Sequence, residues 1–432
     1  MKAGKFAQLG NVRRLVKPMV LAGLILVAYL AAINRAQPLV WAVAALLSAT
    51  LVTGVVWPRW LVQRLAVIRT GPQRAAEGER ITFRVEIRNQ GRGPRFMVEV
   101  IDRLPFVDVD QVSGIRSDQS LGVIAYLPGR GRRTFDVTLV AEKRGFYTLG
   151  PAGVRSGFPL GIVESTRRGG SGTRTLTVYP EVFPVASFPL QGVQSQMHRG
   201  DCLLPKGSGT AEFSGLREYL RGDNPRHIHW PTTARLNELM VKEFEPLASA
   251  RITIALDLAA DSNVGRGRHA TLEYAIRIAA SIANHACAKG LPVRIHGLAF
   301  PGSAAEYGTG QGHFHRLLDE LAVIDAGATS HYATEVEQAA SGCEEGETVV
   351  VFLSEPKDRI NATVDTLRQL QESGANLLIV HFDRPSFIDG ARGIPKERRK
   401  VDADDIQGAL LDIAGCYLSV SMGDDLSRLF DS

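Results

Sequence analysis

The residues of this 432-residue chain whose types and spacing could do chemistry gather in two places. The first is Glu212–Glu245, reading EFSGLREYLRGDNPRHIHWPTTARLNELMVKEFE. Arg217, Arg221, Arg226 and Arg235 offer planar, forked donors suited to a phosphate or carboxylate. Glu218, Asp223, Glu243 and Glu245 lie near enough in sequence to neutralise them. Two readings stand side by side: a salt-bridge clamp that pins two domains, or an exposed partner or anion site built from Arg217, Asp223, Arg226, His229, Trp230 and Arg235. His227, His229 and Asp223 are metal-ligand types, but the two histidines alternate on a strand and no third His or Cys follows at ligand spacing. Ser214, His229 and Asp223 hold the residue types of a hydrolytic triad, without the turn that sharpens a nucleophile. A hydrolase using His229 with Asp223 is the enzymatic alternative, and a cell-envelope assembly factor that binds an anionic ligand through Arg226 and Arg235 is a further one; otherwise no catalytic set is expected.

The second place is a set of strand ends. Arg251-Ile-Thr-Ile-Ala-Leu-Asp257 is a near-continuous apolar run, as in a strand buried on both faces. Leu272 to Ala286 then repeats apolar residues at helical spacing, and strands are predicted at Val293–Phe300, Thr348–Ser354 and Asn376–Phe382. Helices are predicted at Phe314–Ile324 and Ile360–Glu372, with a last strand at Cys416–Val420 and a short helix from Asp424. Such alternation means a mostly parallel sheet with helices on both faces, whose ligands bind beyond the carboxyl ends of the strands. Asp257, Asp261, Thr329 and Glu355 fall at those ends. GxGxxG and GxxxxGK[ST] are both missing, so nucleotide binding is not supported.

The elements that must position these residues begin with an anchor. Pro18–Ile33 and Leu39–Trp57 are apolar runs near the roughly 20 residues a membrane-crossing helix needs. Lys2, Lys5, Arg13, Arg14 and Lys17 precede them and Arg59, Arg64, Arg69 and Arg74 follow, which places both ends in the cytoplasm of a plasma (inner) membrane protein. The net charge of +5 is partly this flanking charge, so no nucleic-acid footprint is inferred. Cys202, Cys287, Cys343 and Cys416 are scattered without a CxxC pair, as reduced thiols are in a cytosolic compartment. From about Leu65 to Tyr179 short alternating runs such as Ile81-Thr-Phe-Arg-Val-Glu-Ile-Arg88, punctuated by Gly and Pro, predict an antiparallel β-sandwich. The chain therefore divides into residues 1–64 (basic N-terminus and two transmembrane helices), 65–183 (sandwich), 184–250 (connecting segment) and 251–432 (α/β domain).

The α/β part resembles a von Willebrand factor A domain, whose metal-ion-dependent adhesion site holds magnesium with an Asp-x-Ser-x-Ser loop, a Thr and a second Asp. Here the loop reads Asp257-Leu-Ala259-Ala-Asp261, so both serine positions are changed, and Glu355 stands where the distal Asp would. The resemblance implies a degenerate site of Asp257, Asp261, Thr329 and Glu355; no cofactor is expected beyond a possible Mg²⁺. More specific is Gly215-Leu-Arg-Glu-Tyr219, Gly222-Asp223, Arg226-His-Ile-His-Trp230 and Ala234-Arg235, together with Arg144-Gly-Phe-Tyr-Thr-Leu-Gly-Pro151 and two N-terminal spans. These resemble the domain-of-unknown-function family fifty-eight. That family consists of membrane-anchored proteins with a degenerate von Willebrand A-like domain, often encoded beside MoxR-type AAA+ ATPases. The resemblance implies a non-enzymatic scaffold or adaptor that works with such an ATPase in assembly or activation of client proteins.

Overall fold

The computed structural model describes residues 3–35, 37–107, 118–169, 173–185, 212–218, 228–236, 238–245, 251–297, 306–327, 331–341, 343, 346–388, 410, 413 and 415–430. They form two compact units that meet in sequence at Tyr179 and Pro180.

The first unit opens with two helices, α1 (Ala3–Arg35) and α2 (Pro38–Leu61). Val16–Asn34 and Pro38–Leu61 are each long and apolar enough to cross a membrane. At 1.5 Å per residue α2 alone extends about 36 Å, against a hydrocarbon core of about 30 Å. Their apolar side chains face outward: Met19 is 69% exposed and Leu39 75%. Burial elsewhere in the unit follows the sheets. Strands β1 (Leu65–Thr70), β3 (Arg80–Asn89) and β6 (Arg132–Val140) make one antiparallel sheet in the order β1-β3-β6. Strands β4 (Arg95–Asp102), β5 (Gln119–Leu127), β8 (Gly153–Ser156) and β9 (Ser165–Arg168) make another, ordered β5-β4-β8-β9.

The strict alternation of β3 sends Ile81, Phe83, Val85 and Ile87 inward. Val85 and Ile87 share a core with Val98, Val100, Leu127 and Val154 of the second sheet, which is the packing of a sandwich. A third sheet departs from the antiparallel expectation. β10 (Arg174–Tyr179) pairs antiparallel with β7 (Gly145–Leu149) but parallel with the short β2 (Arg74–Ala76). The turn-rich Arg144–Pro151 stretch thus contributes a strand, and the Tyr147 hydroxyl donates back to the carbonyls of Lys143 and Arg144.

The second unit holds an antiparallel pair, β11 (Glu212–Glu218) with β12 (Met240–Glu245), and between them the short helix α3 (Trp230–Leu236). Its main body is a five-stranded parallel sheet: β13 (Ile252–Ala255), β14 (Val293–His296), β15 (Thr348–Leu353), β16 (Asn376–Phe382) and β17 (Cys416–Val420). The spatial order is β14-β13-β15-β16-β17, every neighbour parallel. Helices α4 (Thr271–Ala288) and α5 (Gly310–Val323) pack on the face carrying Ile252, Ile254, Val350 and Phe352. Helices α6 (Tyr332–Ala340) and α7 (Lys357–Glu372) pack on the face carrying Ala255, Val349, Val351 and Leu353. A last short helix, α8 (Arg384–Phe387), follows β16.

The structure differs from the sequence expectation in several places. Phe183 and Val185 are buried in the α/β core, so the chain enters the second unit at Pro180, before residue 184. Two apolar side chains in an otherwise turn-like stretch carry no period to reveal this. Helix α6 was not anticipated, because nine residues with three inward positions make too short a repeat. The terminal helix is a single 3₁₀ turn, Arg428–Phe430.

Candidate functional site at the strand ends

In a doubly wound sheet the chain leaves adjacent strands in opposite directions at one point, and a crevice opens there beyond their carboxyl ends. With the order β14-β13-β15, that point lies between β13 and β15. Asp257 lies just beyond β13, and Ser354 and Glu355 directly follow β15.

Asp257 is 3% exposed. Its Oδ1 accepts the Ala259 N–H at 3.0 Å, and the Ser354 hydroxyl donates to Oδ2 at 3.4 Å. The Asn263 amide donates to the Asp257 and Ala259 carbonyls, both at 2.9 Å, closing the 257–263 loop on itself. Burial pushes the Asp257 carboxyl up to about 6, and the negative charge of Glu355 adds to the rise while these hydrogen bonds oppose it. Glu355 is also buried; its carboxyl is raised chiefly by desolvation, against the hydroxyl of Thr363, which donates to Oε2, and the charge of Arg359.

Two arginines sit at the same strand ends. Arg359, in the first turn of α7, pairs with the exposed carboxylate of Asp261. Arg384, just after β16, donates to the main-chain carbonyls of Asp261, Ser262 and Ser354. Between the two strands stands Tyr332, the first residue of α6. Its hydroxyl donates to the Ala255 carbonyl at 2.7 Å and accepts the Phe352 N–H at 3.1 Å, and burial holds the phenol far above its ordinary value. Asp257, Gly297, Tyr332 and Glu335 help line a cavity of about 40 Å³.

Of the strand-end residues, Asp257, Asp261 and Glu355 are brought to one end of the sheet, and Thr329 lies outside the described residues. Mg²⁺ takes an octahedron of hard oxygens. Among the described residues no three His, Cys, Asp or Glu side chains converge to hold a metal ion. The Asp261 carboxylate is taken by Arg359, and a guanidinium sits on the loop carbonyls. The described donors therefore do not fit a divalent cation; the positive charge at this end of the sheet is supplied by arginine.

The junction is less fully described: Asp223 and Arg226 lie outside it. Arg217 sits in β11 opposite Val241, and Arg235 is exposed in the last turn of α3. His229 is a capping residue. Its Nδ1 lies 2.8 Å from the Thr232 hydroxyl and 3.4 Å from the Thr232 N–H, and its main-chain N–H reaches the Met240 carbonyl at 2.8 Å. Trp230 is 65% exposed. Arg359, Arg384, Ser354, Thr363 and Tyr332 were not legible as site residues. The strand-end rule reaches Ser354 and, two residues past β16, Arg384; nothing local marks Tyr332.

Residues 215–379 match the family described as protein of unknown function DUF58. YeaD of Bacillus subtilis (strain 168), described as an uncharacterized protein, is 25% identical over 268 residues. The match covers 60% of this chain and spans 62% of that relative's length. Among solved structures, the CARDB domain of PF1109 from Pyrococcus furiosus is 14% identical, covering 27% of this chain and 94% of that one at a TM-score of 0.19. Red sea bream transglutaminase is 12% identical, covering 27% and 15% at 0.19, and neither likeness bears on the fold. Residues 215–379, the stretch that matches the DUF58 family, hold most of the junction hairpin and the Asp257–Glu355 site.

Proposed function

We propose that this chain is a non-enzymatic, membrane-anchored adaptor. Helices α1 and α2 span the plasma membrane as a hairpin with both termini in the cytoplasm. The α/β unit acts as a von Willebrand A-like module whose adhesion site has exchanged its metal for arginines. It presents a MoxR-type AAA+ ATPase to client proteins for assembly or activation. Two observations, one at each candidate place, support the adaptor reading. The space beside Asp257 is about 40 Å³, where small-molecule pockets run to about 300–1,000 Å³. The carboxyls there are spent on a hydroxyl, a main-chain N–H and a guanidinium. His229, the base of the hydrolase alternative, is engaged by Thr232 at a helix start. Trp230, exposed on that same turn, is the side chain best suited to anchor a protein partner, since Trp dominates interface hot spots.

The test is affinity capture of the tagged full-length chain from native membranes at low salt with nucleotide present. Recovery of an AAA+ ATPase with the wild-type chain, reduced at least several-fold by Trp230→Ala, is the expected result. Capture of no ATPase under these conditions overturns the reading.

A further inference from the structure

The sandwich carries an apolar loop that the cytoplasmic role leaves unexplained. Residues Ser156-Gly-Phe-Pro-Leu-Gly-Ile-Val163 contain no charge, and Phe158, Pro159 and Leu160 are all exposed, Phe158 by 37% and Leu160 by 49%. The loop is seated on the helix pair. Ile162 packs so closely against Gly54 of α2 that a Cβ there would meet its Cδ1 at 2.8 Å. The Lys17 ammonium of α1 donates to the Gly161 carbonyl at 3.3 Å.

Height along the helices decides what surrounds this loop. Gly54 lies seven residues before the end of α2, so the contact is about 10 Å inside the helix and not at its tip. Lys17 is at the start of the other apolar span, Val16–Asn34. This is the level at which a lysine stem lies along acyl chains while its ammonium reaches for polar groups. Here one of those groups is a loop carbonyl. The loop is also prepared for a medium poor in water. The Gly161 N–H is bonded to the Gly157 carbonyl at 2.7 Å, the Phe158 N–H to the Ser156 hydroxyl at 3.3 Å, and Pro159 has no N–H to satisfy. Beside it the Phe158 ring lies tilted against Phe96 at 6.4 Å, and Phe96 tilted against the half-exposed Tyr126 at 5.5 Å, the amphipathic aromatic type that sits among headgroups.

We infer that the Phe158–Ile162 loop is a third membrane contact: Phe158 and Leu160 insert among lipid acyl chains at the hydrocarbon–headgroup boundary, beside α1 and α2. The occupant is lipid because the patch is continuous with the outward apolar faces of two membrane-crossing helices. This rests on the membrane-spanning reading of those helices. Inserting there, the loop holds the sandwich at a fixed height and rotation on the bilayer, so that it does not swing on α2 alone.

The experiment is site-directed spin labelling of the full-length chain, its four native cysteines replaced, in phosphatidylcholine/phosphatidylglycerol proteoliposomes. Leu160→Cys is compared with Leu26→Cys inside α1 and with Arg80→Cys, at the far end of β3 from Asn89. The expected result is an oxygen-to-nickel-chelate collision ratio at position 160 several-fold above that at 80 and below that at 26. A lipid value at 26 with a water value at 160 overturns the loop contact and leaves the anchor standing. Shielding of 160 from both reagents puts protein on the patch and likewise overturns it. A water value at 26 removes the anchor and this inference together.

Discussion

The Ser354 hydroxyl donates to Asp257 Oδ2 across 3.4 Å, joining the ends of two adjacent parallel strands through residues 97 positions apart. It is one of few polar contacts that the buried Asp257 carboxyl receives, and they do not offset its desolvation.

Stability should therefore depend on pH in a definite direction. The folded-state Asp257 carboxyl titrates at about 6, above its unfolded value of 3.8, so the native state holds its proton longer. Stability from this group is fully present below about pH 4 and is lost as pH rises through about 6. A shift of roughly two units amounts to about 3 kcal/mol at neutral pH. Asp257→Asn keeps an acceptor for the Ala259 N–H and removes the charge. Calorimetric melting of the α/β unit should show the variant melting higher than wild type at pH 7.5 and level with it at pH 4.5. Glu355, raised in the same direction, leaves a residual slope. Identical pH profiles for the two proteins would contradict the burial argument.

Arg384 holds three loop carbonyls that no other described side chain reaches. Arg384→Ala removes charge-assisted hydrogen bonds and leaves buried acceptors behind, a loss of about 2–4 kcal/mol. Hydrogen exchange at residues 259–263 and 354–356 should rise in that variant, and Arg384→Lys should recover only part, since an ammonium lacks the planar, pre-organised donor array of the guanidinium and is more strongly hydrated. Unchanged exchange at both segments would mean that the guanidinium is not what closes the loop.

How much of this was readable beforehand depends on period. The sandwich core declares itself through Ile81, Phe83, Val85 and Ile87 on alternate positions, and the parallel strands through continuous apolar runs ending at Asp257 and Glu355. Those two ends were legible because the fold rule points at them. Arg359 and Arg384 were not, since each is an ordinary surface residue type until the sheet order brings it over the loop. Tyr332 sits in a stretch of helix whose repeat is too brief to detect, yet it is wedged between both strands of the switch point. In the junction, the capping of α3 by His229 needs the three-dimensional approach of Thr232.

That capping role sets a prediction which separates structure from chemistry. His229→Ala removes an acceptor at the start of α3, worth about 1 kcal/mol, and His229→Asn restores one at nearly the same position. Limited proteolysis between Trp230 and Leu236 should speed up in the alanine variant and return to the wild-type rate in the asparagine variant. A hydrolase using His229 as its base would lose its activity in both variants alike.

In the sandwich, Arg69 and Asp102 form an ion pair buried to 8% and 1% exposure, and desolvation lowers the Arg69 guanidinium, with Arg174 adding to the effect. Such pairs cost much of their attraction in lost hydration, so their removal together is tolerated far better than removal of one partner. Asp102→Ala strands the guanidinium beside the Phe83 ring, 5.7 Å from its centroid, with a cost of about 3–5 kcal/mol. Arg69→Met combined with Asp102→Leu should cost much less. The comparison is made by chemical denaturation of the detergent-solubilised chain, following the β-sheet circular dichroism of the first unit. If the double variant is as unstable as Asp102→Ala, the pair contributes through its specific geometry and not merely through mutual neutralisation.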